Sequence, residues 1–396
     1  MKSKIAGKLK ARTNFMSAAT YPNYSPGLEG VIGGITTISE IVSETSTLIY
    51  RGYDVHDLAS KGSFEETAYL LLFGKLPTQS ELDGFKKTLA EEREVPEAVY
   101  TALKQLPKST HPMDSAKVGY AVWAPYDPDY AAPATDHEAN KRKAVRILAR
   151  ASTIVGNGHR IRMGLEPIQP KPEHTIAQNF LHLMTGDAPD AETAHVLDSS
   201  LTLYAEHGFN ASTFSARVTV ATLSDLYSGI CSGIGTLRGP LHGGANEEAM
   251  KMLEEIGSSD KAEAWIRDAL ATKKKIMGFG HREYKKRDPR AIYLTKVAKE
   301  LAVKKNMTKW SEIADILENV METEKGIYPN VDFPAAYAYY CLNIPVDLYT
   351  PIFVIARVSG WSAHMLEQLA NNRLIRPGCI YEGPQHVPFV PVNERS

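Results

Sequence analysis

Three short runs of this chain join loop-forming residues to a side chain able to move a proton or hold an anion. They are Gly239-Pro240-Leu241-His242-Gly243-Gly244-Ala245-Asn246-Glu247, Gly278-Phe279-Gly280-His281-Arg282-Glu283-Tyr284-Lys285-Lys286-Arg287-Asp288-Pro289-Arg290, and Tyr328-Pro329-Asn330-Val331-Asp332-Phe333-Pro334. His242 falls at what reads as the start of a helix, where unpaired N–H groups and the positive end of the dipole discourage protonation of an imidazole. A neutral histidine so held can donate a hydrogen bond to an oxygen that gains negative charge during a reaction. Alone, it reads equally well as a packed histidine beside a tight turn, so catalytic meaning requires partners. In the second run the glycines permit close approach to a flat or charged ligand and the basic cluster can hold phosphates; alone, it also reads as a solvated basic loop. Asp332 stands among apolar residues and prolines. It is expected on a rigid, poorly hydrated loop that strengthens its carboxylate as a base, with the N-cap of a helix starting near Pro334 as the competing reading.

These runs need elements to carry them. Between Gly34 and Tyr50, the run Ile35-Thr36-Thr37-Ile38-Ser39-Glu40-Ile41-Val42, a short polar turn and then Thr47-Leu48-Ile49-Tyr50 predict a small N-terminal β-hairpin. Almost everything after it reads as helix. Phe64 to Phe73 is a dense apolar run stopped by Gly74 and Pro77. From Asp190 to Glu206 the pattern puts Val196, Leu197, Leu201 and Tyr204 on one face, with Asp187 or Asp190 as N-cap and Gly208 as left-handed C-cap. His207 then lies at a helix C-terminus, which favours a cationic imidazole suited to a carboxylate ligand. Further helices are expected over 212–226, 246–256, 261–271, 290–304, 310–325, 334–341 and 350–371. Segment 105–140, with Pro107, Pro112, Pro125, Pro128 and Pro133, predicts a loop-rich surface excursion.

Composition removes several classes of function. The 45 basic and 46 acidic side chains nearly cancel, so no global field draws the protein to nucleic acid or an anionic membrane. Cys231, Cys341 and Cys379 are few and scattered, which argues against a disulfide framework or a thiolate metal cage and fits a reducing, cytoplasmic setting. No run approaches the roughly 20 apolar residues of a membrane-spanning helix. Lys2, Lys4, Lys8, Lys10 and Arg12 make the first residues basic; being lysine-rich, this segment reads as a flexible tail over 1–26 rather than an organellar presequence. The 396-residue length suggests two domains.

Taken together, the three runs resemble the citrate synthase family. So do Gly27-Leu28-Glu29-Gly30-Val31, Tyr50-Arg51-Gly52-Tyr53-Asp54, Phe73-Gly74-Lys75-Leu76-Pro77, His111-Pro112-Met113-Asp114 and Phe209-Asn210-Ala211-Ser212-Thr213-Phe214. The resemblance runs from about Gly27 to Val392. It implies a mainly all-α, two-domain fold: a large domain from 27–242 plus 344–396, and a small one at 243–343 carrying the coenzyme A site. It implies that Asp332 deprotonates the methyl group of acetyl-CoA, that His242 stabilises the enol or enolate, and that His281 polarises the ketone of oxaloacetate. Arg290, Arg357, Arg376 and His207 would hold the oxaloacetate carboxylates, with Arg376 reaching across a homodimer interface. Gly278, Phe279, Gly280, Lys285 and Lys325 would meet the coenzyme, while Ser212 and Asn330 orient His242 and His281. Acetyl-CoA is then a co-substrate, with no resident cofactor or metal. Glu283 stands where the family commonly has a small apolar residue.

Three other readings compete. A 2-methylcitrate synthase would use the same residues on propionyl-CoA. A nicotinamide-dependent dehydrogenase is suggested by the glycines from Gly229 to Gly239, but their spacing misses the dinucleotide fingerprint and no βαβ pattern surrounds them. A catalytically silent assembly protein would have no need of Asp332, His242, His281 and the arginines together.

Overall fold

The computed structural model describes residues 21 and 24–395. Residues up to Thr36 form one unit and the remainder another. The first contains a 3₁₀ turn, Pro26–Leu28, with Gly27 at φ 66°; most of the basic tail expected over 1–26 lies outside the described residues. In the second unit, strands β1 (Ser39–Val42), β2 (Thr47–Tyr50) and β3 (Tyr53–Asp54) pair antiparallel in that order, with Ser39 opposite Tyr50 and Ile49 opposite Asp54. The expected hairpin is therefore present and extended by a third strand, because Arg51 (φ 50°) and Gly52 (φ 92°) turn the chain back on itself.

The rest is helical, as the periodicity predicts, and local signals set the ends. Ser63 and Glu66 form a reciprocal capping box on Phe64–Phe73, which Gly74 closes at φ 84°. Asp190 caps Ala191–Tyr204 by accepting from the Thr193 N–H. Ala245–Ile256, Ser259–Ala271, Pro289–Lys304, Lys309–Lys325, Asp332–Cys341 and Tyr349–Ala370 match the expected helices closely. Two expectations fail. The helix predicted over 212–226 is Ala211–Ala221 followed by a separate helix, Leu226–Leu237, since Leu223 takes φ 67° and Asp225 caps the second. Segment 105–140 is not a surface excursion. Pro112 occupies the first turn of helix Pro112–Trp123, capped by His111, and the helix buries Met113, Tyr120 and Trp123. Among the described residues no helix is long and apolar enough to cross a membrane.

Helix Tyr349–Ala370 is the spine of the second unit, packing on His137–Arg162, Ala191–Tyr204, Ala211–Ala221 and Leu226–Leu237. It is buried nearly throughout, even at Arg357, Ser359, Ser362 and His364. Gly360 allows its tightest crossing: a Cβ there would lie 2.3 Å from the Ala205 carbonyl oxygen and 2.4 Å from Glu206 Oε2. That closeness seats Arg357 against the end of Ala191–Tyr204. Gly84, exposed in helix Gln79–Glu91, has nothing within 4 Å of its would-be Cβ. The two glycines should therefore respond oppositely to alanine. Gly84→Ala is expected to raise stability by about 0.5–1 kcal/mol. Gly360→Ala is expected to lower it by about 1–3 kcal/mol in urea unfolding, because backbone must move to relieve the contact; equal responses would contradict the crossing.

Candidate active site

Two pairs of segments build the site. The first is the end of Ala191–Tyr204 with the spine helix: Arg357 Nε donates to the Tyr204 carbonyl at 2.7 Å, while its buried Nη1 has no hydrogen-bond partner. The second is the run around His281 laid against the run before Asp332. The Gly280 N–H donates to Tyr328 O (2.8 Å), the Asn330 N–H to Gly278 O (2.9 Å), and Asn330 Nδ2 to Gly280 O (2.9 Å). Gly278 is required there, because at φ 78° a Cβ would come within 2.8 Å of Phe333 Cβ.

The hydrogen bonds around each histidine assign its proton. His281 Nδ1 accepts from the backbone N–H of Glu283 (3.0 Å) and of Tyr284 (3.4 Å), so a neutral ring carries its proton on Nε2. Burial, helped by Arg290, pushes His281 down to about 4. His242 Nε2 accepts from the Ser212 N–H (3.3 Å) and lies 2.8 Å from Ser212 Oγ, which also receives the Trp361 indole N–H at 3.1 Å. The proton of His242 is therefore on Nδ1. Its pKa falls to about 4 through burial and then Arg357. The helix after it starts at Ala245 with Gly244 as N-cap, so His242 precedes the cap instead of occupying the first turn. Its neutrality comes from burial and a guanidinium, not from the helix end.

His207 corrects the opposite expectation. It does follow Ala191–Tyr204 and precedes left-handed Gly208, yet it is buried and pushed well below the ordinary histidine range by desolvation, Arg290, His281 and Arg357. These outweigh the partial charge of a helix terminus. It shares a hydrogen bond through Nε2 with the Tyr284 hydroxyl at 3.1 Å, and its ring lies 5.0 Å from that of His281.

Asp332 is the first residue of helix Asp332–Cys341, neither on a loop nor a cap; Val331 is the N-cap residue and makes no side-chain cap bond. Instead Asn330 Oδ1 takes the Asp332 N–H at 3.0 Å, leaving the Asp332 carboxylate to accept from the Tyr204 hydroxyl at 2.7 Å. Burial raises its pKa to about 6, against the opposing pull of Tyr204, Arg290 and Arg357. Arg290, buried in the first turn of Pro289–Lys304, is gripped by Asp288 through Nε (3.0 Å) and Nη2 (2.8 Å). Asp288 also accepts the Val331 N–H at 3.2 Å, tying that arginine to the Asp332 segment.

The structure thus gathers His207, His242, His281, Asp332, Arg290 and Arg357, with Ser212 on His242 and Asn330 on the backbone of the His281 run. Lys285 and Lys325 are exposed, as is Arg376 in the extended segment after the spine helix, and none bonds to the gathered side chains. Tyr204, Tyr284 and Asp288 escaped the sequence reading. Tyr204 was legible only as a core position; its hydroxyl, close before His207, was the available signal. Among the described residues no cluster of three or more metal-binding side chains forms.

A carboxylate near pH 6 in strength, neutral imidazoles with assigned N–H donors and buried guanidiniums define an acid–base enzyme for small anionic substrates, built on a helical scaffold. The sequence profile described as citrate synthase, C-terminal domain, matches residues 27–378. Citrate synthase 2 of Bacillus subtilis is 46% identical over 371 residues, 93% of this chain and 99% of its own. A 2-methylcitrate synthase of Mycobacterium tuberculosis is 42% identical over 381 residues, 96% of each chain. The solved ternary complex of carboxymethyl coenzyme A and oxaloacetate with citrate synthase from Thermoplasma acidophilum superposes with a TM-score of 0.89 at 36% identity, covering 94% of this chain and 99% of that one. The chain belongs to the citrate synthase family, and it is an enzyme of the transferase type.

With Asp332 as the base, the pH profile of kcat/KM should bend downward near pH 6, while His242 and His281, at about 4, stay neutral through that range. The Tyr204 hydroxyl favours the ionised carboxylate, so Tyr204→Phe should move the acid limb to higher pH. A limb that stays put or moves lower would exclude Asp332 as the titrating group.

Proposed function

We propose that this protein condenses acetyl-CoA with oxaloacetate and water to give citrate and coenzyme A. The observation that carries this reading is a strengthened Asp332 carboxylate and two neutral histidines, one with its proton on Nδ1 and the other on Nε2, placed around the same two arginines, Arg290 and Arg357. Asp332 takes a proton from the thioester methyl group. The Nδ1–H of His242 donates to the thioester oxygen and stabilises the enol or enolate. That carbon attacks the ketone carbon of oxaloacetate, whose oxygen receives the Nε2–H of His281. Water then hydrolyses citryl-CoA.

The buried, unpartnered Nη1 of Arg357 supports a role as carboxylate ligand, since a planar carboxylate would satisfy it. Arg290, already oriented by Asp288, and His207 serve the same substrate. The Gly278–Gly280 backbone, with Lys285 and Lys325 toward the phosphates, takes the coenzyme. Arg376 acts from the second subunit of a homodimer, which fits its exposure in the extended segment after the spine helix. Propionyl-CoA is the alternative acyl donor, favoured by relatives named 2-methylcitrate synthase at identities close to those of the citrate synthases. One methylene is worth only about 1–3 kcal/mol in an apolar pocket.

Steady-state rates with acetyl-CoA and propionyl-CoA test the substrate, and a higher kcat/KM for propionyl-CoA would overturn the acetyl assignment. Asp332→Ala should lower kcat by about a hundred- to ten-thousandfold with oxaloacetate affinity kept, as read by calorimetry. Loss of oxaloacetate binding as the main effect would remove Asp332 from the proton step. Mixing the inactive variants Asp332→Ala and Arg376→Ala should restore activity. Half of randomly assorted dimers are hybrids with one intact site, giving about a quarter of wild-type activity if Arg376 acts in trans. No recovery would place Arg376 with its own subunit's site.

A further inference from the structure

The β1–β2 hairpin touches both histidine-bearing segments on the proposed oxaloacetate side, a placement that the reaction as described does not use. On β1, the Ser39 hydroxyl donates to Glu206 Oε1 at 2.9 Å and accepts the Gly208 N–H at 3.0 Å, bracketing His207 from both neighbours. Tyr50, opposite Ser39 in the ladder, donates its hydroxyl to the Glu206 carbonyl at 2.7 Å. Just past the other end of β1, the Ser43 hydroxyl donates to the carbonyl of Glu283 at 2.6 Å, across 240 positions of sequence. The Tyr284 N–H, in the same peptide plane as that carbonyl, donates to His281 Nδ1 at 3.4 Å, beside the Glu283 N–H at 3.0 Å.

We infer that the hairpin is a clasp joining the His207 and His281 segments, and that Ser43 is the positioning residue that fixes the 283 peptide and through it the tautomer of His281. Burial anchors the Ser39 end, with Leu48 and Tyr50 fully enclosed beside it. The Ser43 end is one hydroxyl on one carbonyl. It is the part that can release without unfolding the sheet. When the 283 carbonyl is held, the 283 and 284 N–H groups point at Nδ1 and the Nε2 proton stays directed outward. When it is free, the run can rotate, Nδ1 loses its donors, and either ring nitrogen can carry the proton. Glu283 matters here by its backbone, and its side chain is exposed.

This inference rests on the role proposed for His281, and the experiment separates the two. Ser43→Ala should lower kcat/KM for oxaloacetate about three- to tenfold, the scale of one modest hydrogen bond, with the thermal midpoint unchanged and acetyl-CoA KM within about twofold. Ser43→Thr, which keeps the hydroxyl, should restore it. ¹⁵N resonances of His281 should report a protonated Nε2 in the wild type and Ser43→Thr, and a tautomer mixture in Ser43→Ala. A Ser43→Ala enzyme within about twofold of wild type, or one that Ser43→Thr does not better, would overturn the clasp. His281→Ala decides what that failure means: if it abolishes turnover, the clasp alone is wrong, and if it retains turnover, the role of His281 is wrong as well.

Discussion

Taking the Arg357 guanidinium out of water, to 1% exposure, costs several kcal/mol that only anions and acceptors can offset. The protein supplies that compensation sparingly. Nε has the Tyr204 carbonyl, Glu206 lies near enough to favour the charge, and the Phe353 ring sits under the guanidinium carbon at 4.7 Å. Nη1 has nothing, and desolvation draws the group down to about 10. A cation left short of acceptors in a dry place is a standing demand for an anion, and the close helix crossing at Gly360 creates that situation.

The same charge governs its neighbours. Arg357 helps keep His242 and His207 neutral, holds the buried Glu206 carboxylate low together with His364 although burial alone would raise it, and moderates the rise of Asp332. Arg290 repeats the effect on His281, His207 and Asp332 from the other side. Magnitudes show why helix ends do not decide these states. The fall of His242 from 6.5 to about 4 corresponds to roughly 3 kcal/mol, whereas an exposed helix terminus contributes about 0.3–1 kcal/mol. Neutral imidazoles then donate through a nitrogen chosen by backbone N–H groups, a choice that survives small changes of pH.

Most of the helical framework was legible because its signals are local. Asp190 before Thr193 and the glycine at 74 announce helix ends by their own side chain or backbone preference, whereas Gly208, though left-handed, lies beyond the actual C-cap, Ala205. Pro112 misled because proline in a first turn and proline in a loop look alike along the chain; only the burial of Met113, Tyr120 and Trp123 separates them. The protonation of His207 was misread for a related reason. Its helix end is visible in sequence, but the arginines that overrule that end arrive from positions 290 and 357. Tyr204 and Asp332 meet across 128 positions with nothing local to announce the pair, whereas Ser212 beside His242, 30 positions apart, was reached only through the family resemblance.

Those partners divide the site into two rigid sets. His281, Asp332 and Arg290 are locked together by backbone pairing between the 278–280 and 328–330 segments and by Asp288, which binds Arg290 and the Val331 N–H at once. His207, His242 and Arg357 are locked by the spine helix, the end of Ala191–Tyr204 and Ser212. Between the sets the hydrogen bonds are made mostly by side chains: Tyr204 to Asp332, Ser200 to Tyr339, Ser199 to Tyr293, Tyr284 to His207 and Ser43 to the Glu283 carbonyl. The proposed base is therefore held with the proposed ketone donor, while the proposed oxyanion donor belongs to the other set. In the proposed reaction, deprotonation needs Asp332 and His242 on one substrate, and carbon–carbon bond formation needs that substrate to face His281. Both distances depend on how the two sets are held together, so a ligand that bridges Arg290 and Arg357 would align both proposed steps at once.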